Sequence, residues 1–278
     1  MAEAPAKRAL LIALDGAPAE FLQQGLTPNI SRLAKMGACT SSAQSVLPTW
    51  SMFCYASILS GVKPETYELS AAPERWIQPR RFPIPSVFQL AQEAGLHTAI
   101  FSNWHPMREV PKPGTVDTLF SSELDSRIVA NMATEYCRKH KPEFCFIHFD
   151  DPDHAGHAHA WRSPEQYRAI GGCDEYVGQL LQALEETGTL SETAIFIVSD
   201  HAGGQVTPYL HGTGEDPDYS HPLTRTVPWI CAGPGVKSGY VIDAAVSILD
   251  TTPTIAALLG LRQIAEWEGR VLSEILRD

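Results

Sequence analysis

Six side chains of metal-binding type stand just past three apolar runs. Asp15 follows ALLIAL, Asp153 and His157 follow FCFIHF, and Asp200 and His201 follow AIFIVS, with His211 a few residues on. The carboxyl end of a strand in a parallel sheet is where ligands and catalytic groups are presented. Three strands delivering Asp, Asp/His and Asp/His to one edge describe a binuclear metal site. Ser51, on a fourth segment, is the candidate nucleophile.

Each cluster has its own logic. Asp153 and His157 lie in DDPDHAGHAHAW, where Pro and Gly directly after a strand predict a loop. Carboxylate oxygen plus imidazole nitrogen suits zinc or another first-row divalent ion. His154 and His159 of the same stretch read better as surface residues. Asp200 and His201 are consecutive, so on a strand they would point to opposite faces. Past the strand end the chain can curl, and Gly203-Gly204 permits close backbone approach. Asp15-Gly16 alone would be an ordinary turn; beside the other two clusters it gains meaning. The Ser51 hydroxyl is a poor nucleophile until a base or a metal activates it. A helix starting there would also favour a phosphate. Thr49 is the rival nucleophile, and His221 competes with His211 for the last ligand position.

The elements that must carry these groups alternate. Residues 9–14, 97–103, 143–149, 193–199 and 227–233 read as strands. Residues 27–37, 84–95, 121–140, 163–188 and 247–260 read as helices, and 45–61 as an extended segment turning into a helix of small residues. Thr27 is the expected N-cap of the first helix, and Ser163–Gln166 the expected capping box of the longest. Alternation of this kind implies an α/β three-layer sandwich, a mostly parallel central sheet with helices on both faces. The stretches 62–83 and 204–226 read as irregular walls of the site. The 278 residues are expected to form one domain.

Composition narrows the function classes. A net charge of −11 argues against a nucleic-acid polymer as partner, because phosphate neutralisation needs Lys and Arg. A small phosphate ester remains compatible, since bound cations invert the local field. No apolar run reaches the length of a membrane span. Six scattered cysteines without framework spacing read as buried free thiols, and the expected compartment is the cytoplasm.

Taken in order, LLIALDG, TPNISRLAKMGA, LPTWSMFCYASILSGVKPE, DDPDHAGH, VSDHAGG, HGTG, VPWICAGPGVKSG and SILDTTPTIAALLG resemble the alkaline phosphatase superfamily, in its type I phosphodiesterase/nucleotide pyrophosphatase branch. The resemblance covers nearly the whole chain and implies an alkaline phosphatase-like core with two divalent ions; the donor types make zinc the first expectation and manganese the second. It implies that Asp15, Ser51, Asp200 and His201 hold one ion and Asp153, His157 and His211 the other. It further implies attack on phosphorus by metal-bound Ser51 through a covalent phospho-enzyme. A phosphodiester or nucleotide pyrophosphate is the expected substrate, with a small-molecule or nucleoside monophosphate as the alternative. A metal-binding pseudoenzyme is the further alternative. The C-x-P-S-R type signature of sulfatases is absent. Relatives often carry Asn three residues after the nucleophile, where Cys54 stands here, so a weaker donor is expected at that point. Without large insertions the site is open or closed by a partner subunit, which allows a homo-oligomer. Arg80, Arg81, Arg108 and Arg162 are candidate phosphate partners, and Trp50, Phe53, Tyr55, Trp76 and Trp104 a candidate aromatic wall.

Overall fold

The computed structural model describes residues 4–67, 85–204, 211 and 220–277. The described strands form one eight-stranded sheet in the order β4-β3-β5-β1-β6-β7-β2-β8. β1 (Arg8–Leu14) lies between β5 (Phe144–Phe149) and β6 (Thr193–Val198), parallel to both. β3 (Thr98–Ser102) joins β5 and β4 (Thr118–Ser121) in parallel. β7 (Thr226–Ala232) runs antiparallel to β6 and to β2 (Ala38–Gln44), and β8 (Tyr240–Val241) is parallel to β2. The sheet is therefore mostly parallel and mixed, as expected.

Its central strands are apolar along their whole length because both faces are covered. In β1, Ala9, Leu11 and Ala13 enter one core with α2 (Ser51–Ser60), α3 (Val87–Glu93) and α8 (Thr251–Leu258). Leu10, Ile12 and Leu14 enter the other with α1 (Pro28–Met36), α4 (Ser126–His140) and α6 (Pro164–Glu186). The period of two along the strand separates two helix layers, each large side chain contributing roughly 1.5–3 kcal/mol by burial. This is the three-layer arrangement.

Several local expectations are corrected. DDPDHAGHAHAW is not a loop: Asp151–His159 is a helix, α5. Pro152 sits in its first turn, where no N–H is needed, with Asp151 and Asp153 beside it and His157 and His159 in the last turn. β2 and β4 were not expected, because ACTSSAQ and TLFS lack long apolar runs; neighbours in the sheet supply their pairing. The helix expected from residue 121 begins at Ser126, capped by Asp125. Thr27 makes no side-chain cap; instead Asp174 of α6 accepts from the N–H groups of Asn29 and Ile30 at 3.1 and 2.7 Å. Only half of the Ser163 box forms, since Ser163 accepts from Gln166 N while the Gln166 amide turns elsewhere. Residues 222–225 form a short helix, α7, inside the stretch expected to be irregular. Most of the expected walls, 68–84, 205–210 and 212–219, lie outside the described residues.

Candidate active site

The site sits at the carboxyl ends of β5, β1 and β6, three adjacent parallel strands. Asp15 is the first residue past β1, Asp200 and His201 follow β6 by one residue, and α5 leaves β5 carrying Asp153. The helix explains the spacing of Asp153 and His157: residues i and i+4 share one face. Ser51 is the first residue of α2, so the unbonded N–H groups of that helix start surround it. His211 reaches the cluster from between segments outside the described residues.

All seven residues named from the sequence meet here. His201 Nε2 lies 3.1 Å from Ser51 Oγ, 3.4 Å from Asp15 Oδ1 and 3.3 Å from Asp200 Oδ2. Ser51 Oγ is 3.5 Å from Asp15 Oδ1. His157 Nε2 is 3.4 Å from Asp153 Oδ2 and 3.2 Å from His211 Nε2, which is 3.5 Å from Asp153 Oδ1. Ligands about 2.0–2.1 Å from a tetrahedral zinc lie about 3.3–3.4 Å from each other. The trio matches that spacing, and so do the distances from His201 Nε2 to Ser51, Asp15 and Asp200; Asp15, Asp153 and His201 also form a compact group of ligand atoms. His201 Nδ1 donates to Ala202 O at 3.3 Å and His211 Nδ1 to Thr49 O at 2.8 Å, leaving both Nε2 lone pairs facing the cluster.

The electrostatics suit a cation. Burial, then the charges of Asp200 and Asp153, hold the Asp15 carboxyl well above its usual range. Burial likewise raises Asp153 strongly and pushes Asp200 up to about 7. Asp153 Oδ1 and Asp200 Oδ2 are buried without a hydrogen-bond partner. Among the described residues no Lys or Arg pairs with Asp15, Asp153 or Asp200; their only basic neighbours are histidines. Burial holds His201 down at about 3, so it is neutral and offers a lone pair rather than a charge. Buried carboxylates with neutral imidazoles and unused lone pairs are a donor set for divalent metal.

Three supporting residues were not singled out from the sequence. His148, the penultimate residue of the run FCFIHF, donates from Nε2 to Asp15 Oδ2 at 2.8 Å, and Ser102 Oγ lies 2.9 Å from its Nδ1. Burial holds His148 neutral, at about 3. A histidine inside an apolar strand was the available signal. Gln166 binds Gly16 O and Pro152 O through its amide nitrogen, both at 3.1 Å, tying the Asp15 turn to α5. Ser199 accepts from Ala17 N at 3.0 Å and donates to His201 O at 2.7 Å.

Other candidates fall away on position. His221 is exposed and caps α7, accepting from Leu223 N, whereas His211 is in the cluster. Cys54 is fully buried, its thiol 3.4 Å from Ser45 Oγ and 3.9 Å from Pro48 O. Arg162 is engaged by Glu20 and by the carbonyls of Gly203 and Leu223. Arg108 is exposed; Arg80, Arg81 and Trp76 lie outside the described residues. Phe53 and Tyr55 are core residues, and Trp50 stacks on Phe53 at 5.5 Å, so the expected aromatic wall is largely interior packing.

Known proteins resemble this chain to different depths. Ectonucleotide pyrophosphatase/phosphodiesterase family member 1 of Homo sapiens is 26% identical over 214 residues, covering 69% of this chain and 23% of the human protein. The chain thus matches less than a quarter of that relative's length. The murine ectonucleotide pyrophosphatase / phosphodiesterase 5, solved as an inactive variant in complex with AMP, superposes with a TM-score of 0.80 at 13% identity, covering 98% of this chain and 100% of that one. A 2-O GAG sulfatase shares the fold with a TM-score of 0.76 at 19% identity, over 98% of this chain and 74% of that one. Residues 9–219 match the family model for type I phosphodiesterase / nucleotide pyrophosphatase, and the chain belongs to that family.

Proposed function

We propose that the chain is a metal-dependent phosphoric ester hydrolase that attacks phosphorus with Ser51, with a phosphodiester or nucleotide pyrophosphate as substrate. The observation that carries this reading is the place of Ser51 Oγ, at a helix start and 3.1 Å from His201 Nε2 within the cluster of buried carboxylates. Asp15, Ser51, Asp200 and His201 would hold one divalent ion and Asp153, His157 and His211 a second. Zinc is the first choice and manganese the second. Bound there, the ions supply Lewis-acid charge to the attacking and departing oxygens.

The chain's own groups do the rest. The first N–H groups of α2 face the nonbridging oxygens of a phosphoryl group seated against Ser51. Ser51 Oγ gives its proton to solvent and forms the new bond to phosphorus while the bond to the departing alcohol or phosphate breaks, that group taking up a proton from solvent as needed. The phosphoserine left is then hydrolysed by water, which returns a proton to Ser51 Oγ. His148, neutral and donating to Asp15 Oδ2, fixes the carboxylate so that Oδ1 faces Ser51. Thr49 is less suited to attack, being fully buried with its carbonyl engaged by His211.

Preference for a diester rests on charge. A monoester brings an extra anionic oxygen that favours a cationic side chain. Among the described residues no Lys or Arg forms an ion pair with the site's carboxylates, and Arg162 is already engaged. The AMP held by the murine relative fits a nucleotide substrate.

The test compares bis-p-nitrophenyl phosphate, p-nitrophenyl phosphate and a dinucleotide with zinc or manganese added. Diester turnover well above monoester turnover is expected, with acid-trapped phospho-enzyme that Ser51→Ala abolishes. The reverse ordering would make the chain a phosphomonoesterase. Full activity in Ser51→Ala would remove Ser51 as nucleophile. Turnover of no phosphate ester with metal bound would make it a pseudoenzyme.

A further inference from the structure

We propose that Trp161 is the positioning residue that sets the ring planes of the three histidines in the site; this rests on the metal reading above. Trp161 lies in the turn between α5 and α6 and is 6% exposed, so it supports the site from behind rather than touching substrate. Its indole meets His157 edge-on at 5.2 Å, His201 at 6.2 Å and 80°, and His211 at 5.4 Å and 90°. His201 and His211 themselves stack at 3.7 Å and 19°. One indole therefore borders all three imidazoles. Carbonyls of Ala202 and Thr49 fix Nδ1 of two of them, and the indole closes off another side.

Each strand-end segment gives up a side chain to make room for this ring. A Cβ on Gly16, next to Asp15, would lie 2.9 Å from the indole. On Gly156, next to His157, it would lie at 2.4 Å, and on Gly203, two residues past His201, at 1.8 Å. The turn that presents the ring is held just as firmly. Ala160 and Arg162, on either side of Trp161, have φ of 76° and 65°, a region that side chains other than glycine rarely adopt. Arg162 is locked there by Glu20, Gly203 O and Leu223 O, and its N–H donates to Gln166 at 2.6 Å. Gly16 is also required by its φ of 65°, but Gly156 and Gly203 are not, and a ring serving only as core filler would need neither these two glycines nor contact with all three candidate ligand histidines.

The experiment titrates chelator-stripped protein with Co2+ and follows visible absorption, which reads the metal site without turnover. Trp161→Ala is expected to bind Co2+ about 10- to 100-fold more weakly, the usual effect of losing a group that orients ligands. Gly156→Ala, which helix propensity alone favours, is expected to weaken binding because its Cβ displaces the indole. In the Trp161→Ala background Gly156→Ala should add no further loss, and Trp161→Phe should recover part of it. Variants that fold cooperatively and bind Co2+ as tightly as the unaltered protein would overturn the proposal, as would additive losses in the double variant. If Trp161→Ala fails to fold, Gly156→Ala decides. Failure of the unaltered protein to bind Co2+ would instead sink the metal reading and this inference with it.

Discussion

Stripping the site of metal should make stability fall with rising pH, in a window the histidines leave clear. In the metal-free protein, burial and the charges of neighbouring carboxylates raise Asp15 and Asp153 well above the usual carboxylate range, and burial brings Asp200 up to about 7. The folded state then binds more protons than the unfolded chain, so these groups lower stability as pH rises from about 4 through their folded values. The histidines act oppositely at lower pH. His148 and His201 are held at about 3 by burial, so the unfolded chain takes up their protons below about pH 6.5 and stability grows as pH rises through that range. Between about pH 7 and 8 the histidines are neutral in both states and the carboxylates dominate. Above that, the thiols of Cys54, Cys173 and Cys231, pushed up by burial, and of Cys145, pushed up by its hydrogen bond to Cys137 and by burial, add a slope of the same sign as the unfolded thiols titrate at about 8.5. Each proton held in the folded state alone costs about 1.4 kcal/mol per pH unit. One proton so held among Asp15, Asp153 and Asp200 removes about 1.4 kcal/mol over the unit from about pH 7 to 8, or about 2–3 °C in midpoint for a chain of this size. Saturating zinc should remove the carboxylates' share of this slope, leaving that of the buried thiols, and add about 2.7 kcal/mol at a hundredfold excess over Kd. Thermal unfolding in chelator and in zinc, at matched pH, reads both effects. Identical midpoints with identical pH dependence would refute the cation-binding argument.

Three further outcomes follow from the geometry. His148→Leu removes the donor to Asp15 Oδ2 and should weaken zinc binding by about 10- to 100-fold in calorimetry, with His148→Gln partly restoring it; unchanged affinity would show that Asp15 needs no such support. Asp174→Ala leaves the start of α1 uncapped and should cost about 2–3 kcal/mol, read as a fall of about 3–5 °C in midpoint. A variant as stable as the parent would mean that water caps the helix equally well. Cys54→Asn should lower stability by about 1–3 kcal/mol without raising diester turnover, because it buries an amide in the core; a gain in turnover would place residue 54 at the substrate after all.

The strand ends were readable because a fully buried parallel strand is an uninterrupted apolar run, and Asp15, Asp153 and Asp200 follow such runs closely. The same signal concealed His148, which lies inside one. The helix at Asp151–His159 was unreadable because Pro152 and Gly156 argue locally for a loop; Gly156 is tolerated where the Trp161 ring lies against it. β2 was missed because pairing with β7 and β8, rather than hydrophobicity, makes it a strand. Gln166 looked like a cap residue, and only tertiary structure turns its amide toward Gly16 and Pro152. The clustering of seven distant residues came through family resemblance together with local pattern. The supporting contacts depend on side chains brought close by folding, which no local pattern encodes.

The position of β1 has a consequence for the order of events during synthesis. The strand carrying Asp15 leaves the ribosome well before the strands it pairs with, which begin at Phe144 on one side and Thr193 on the other. Until both have emerged, Asp15 has no partners, and a free cation meets only scattered carboxylates and imidazoles on an unassembled chain. Metal capture must therefore come late, after the slow closure of long-range pairings. Ions would then act as a seal on a nearly finished molecule rather than as a seed for its assembly.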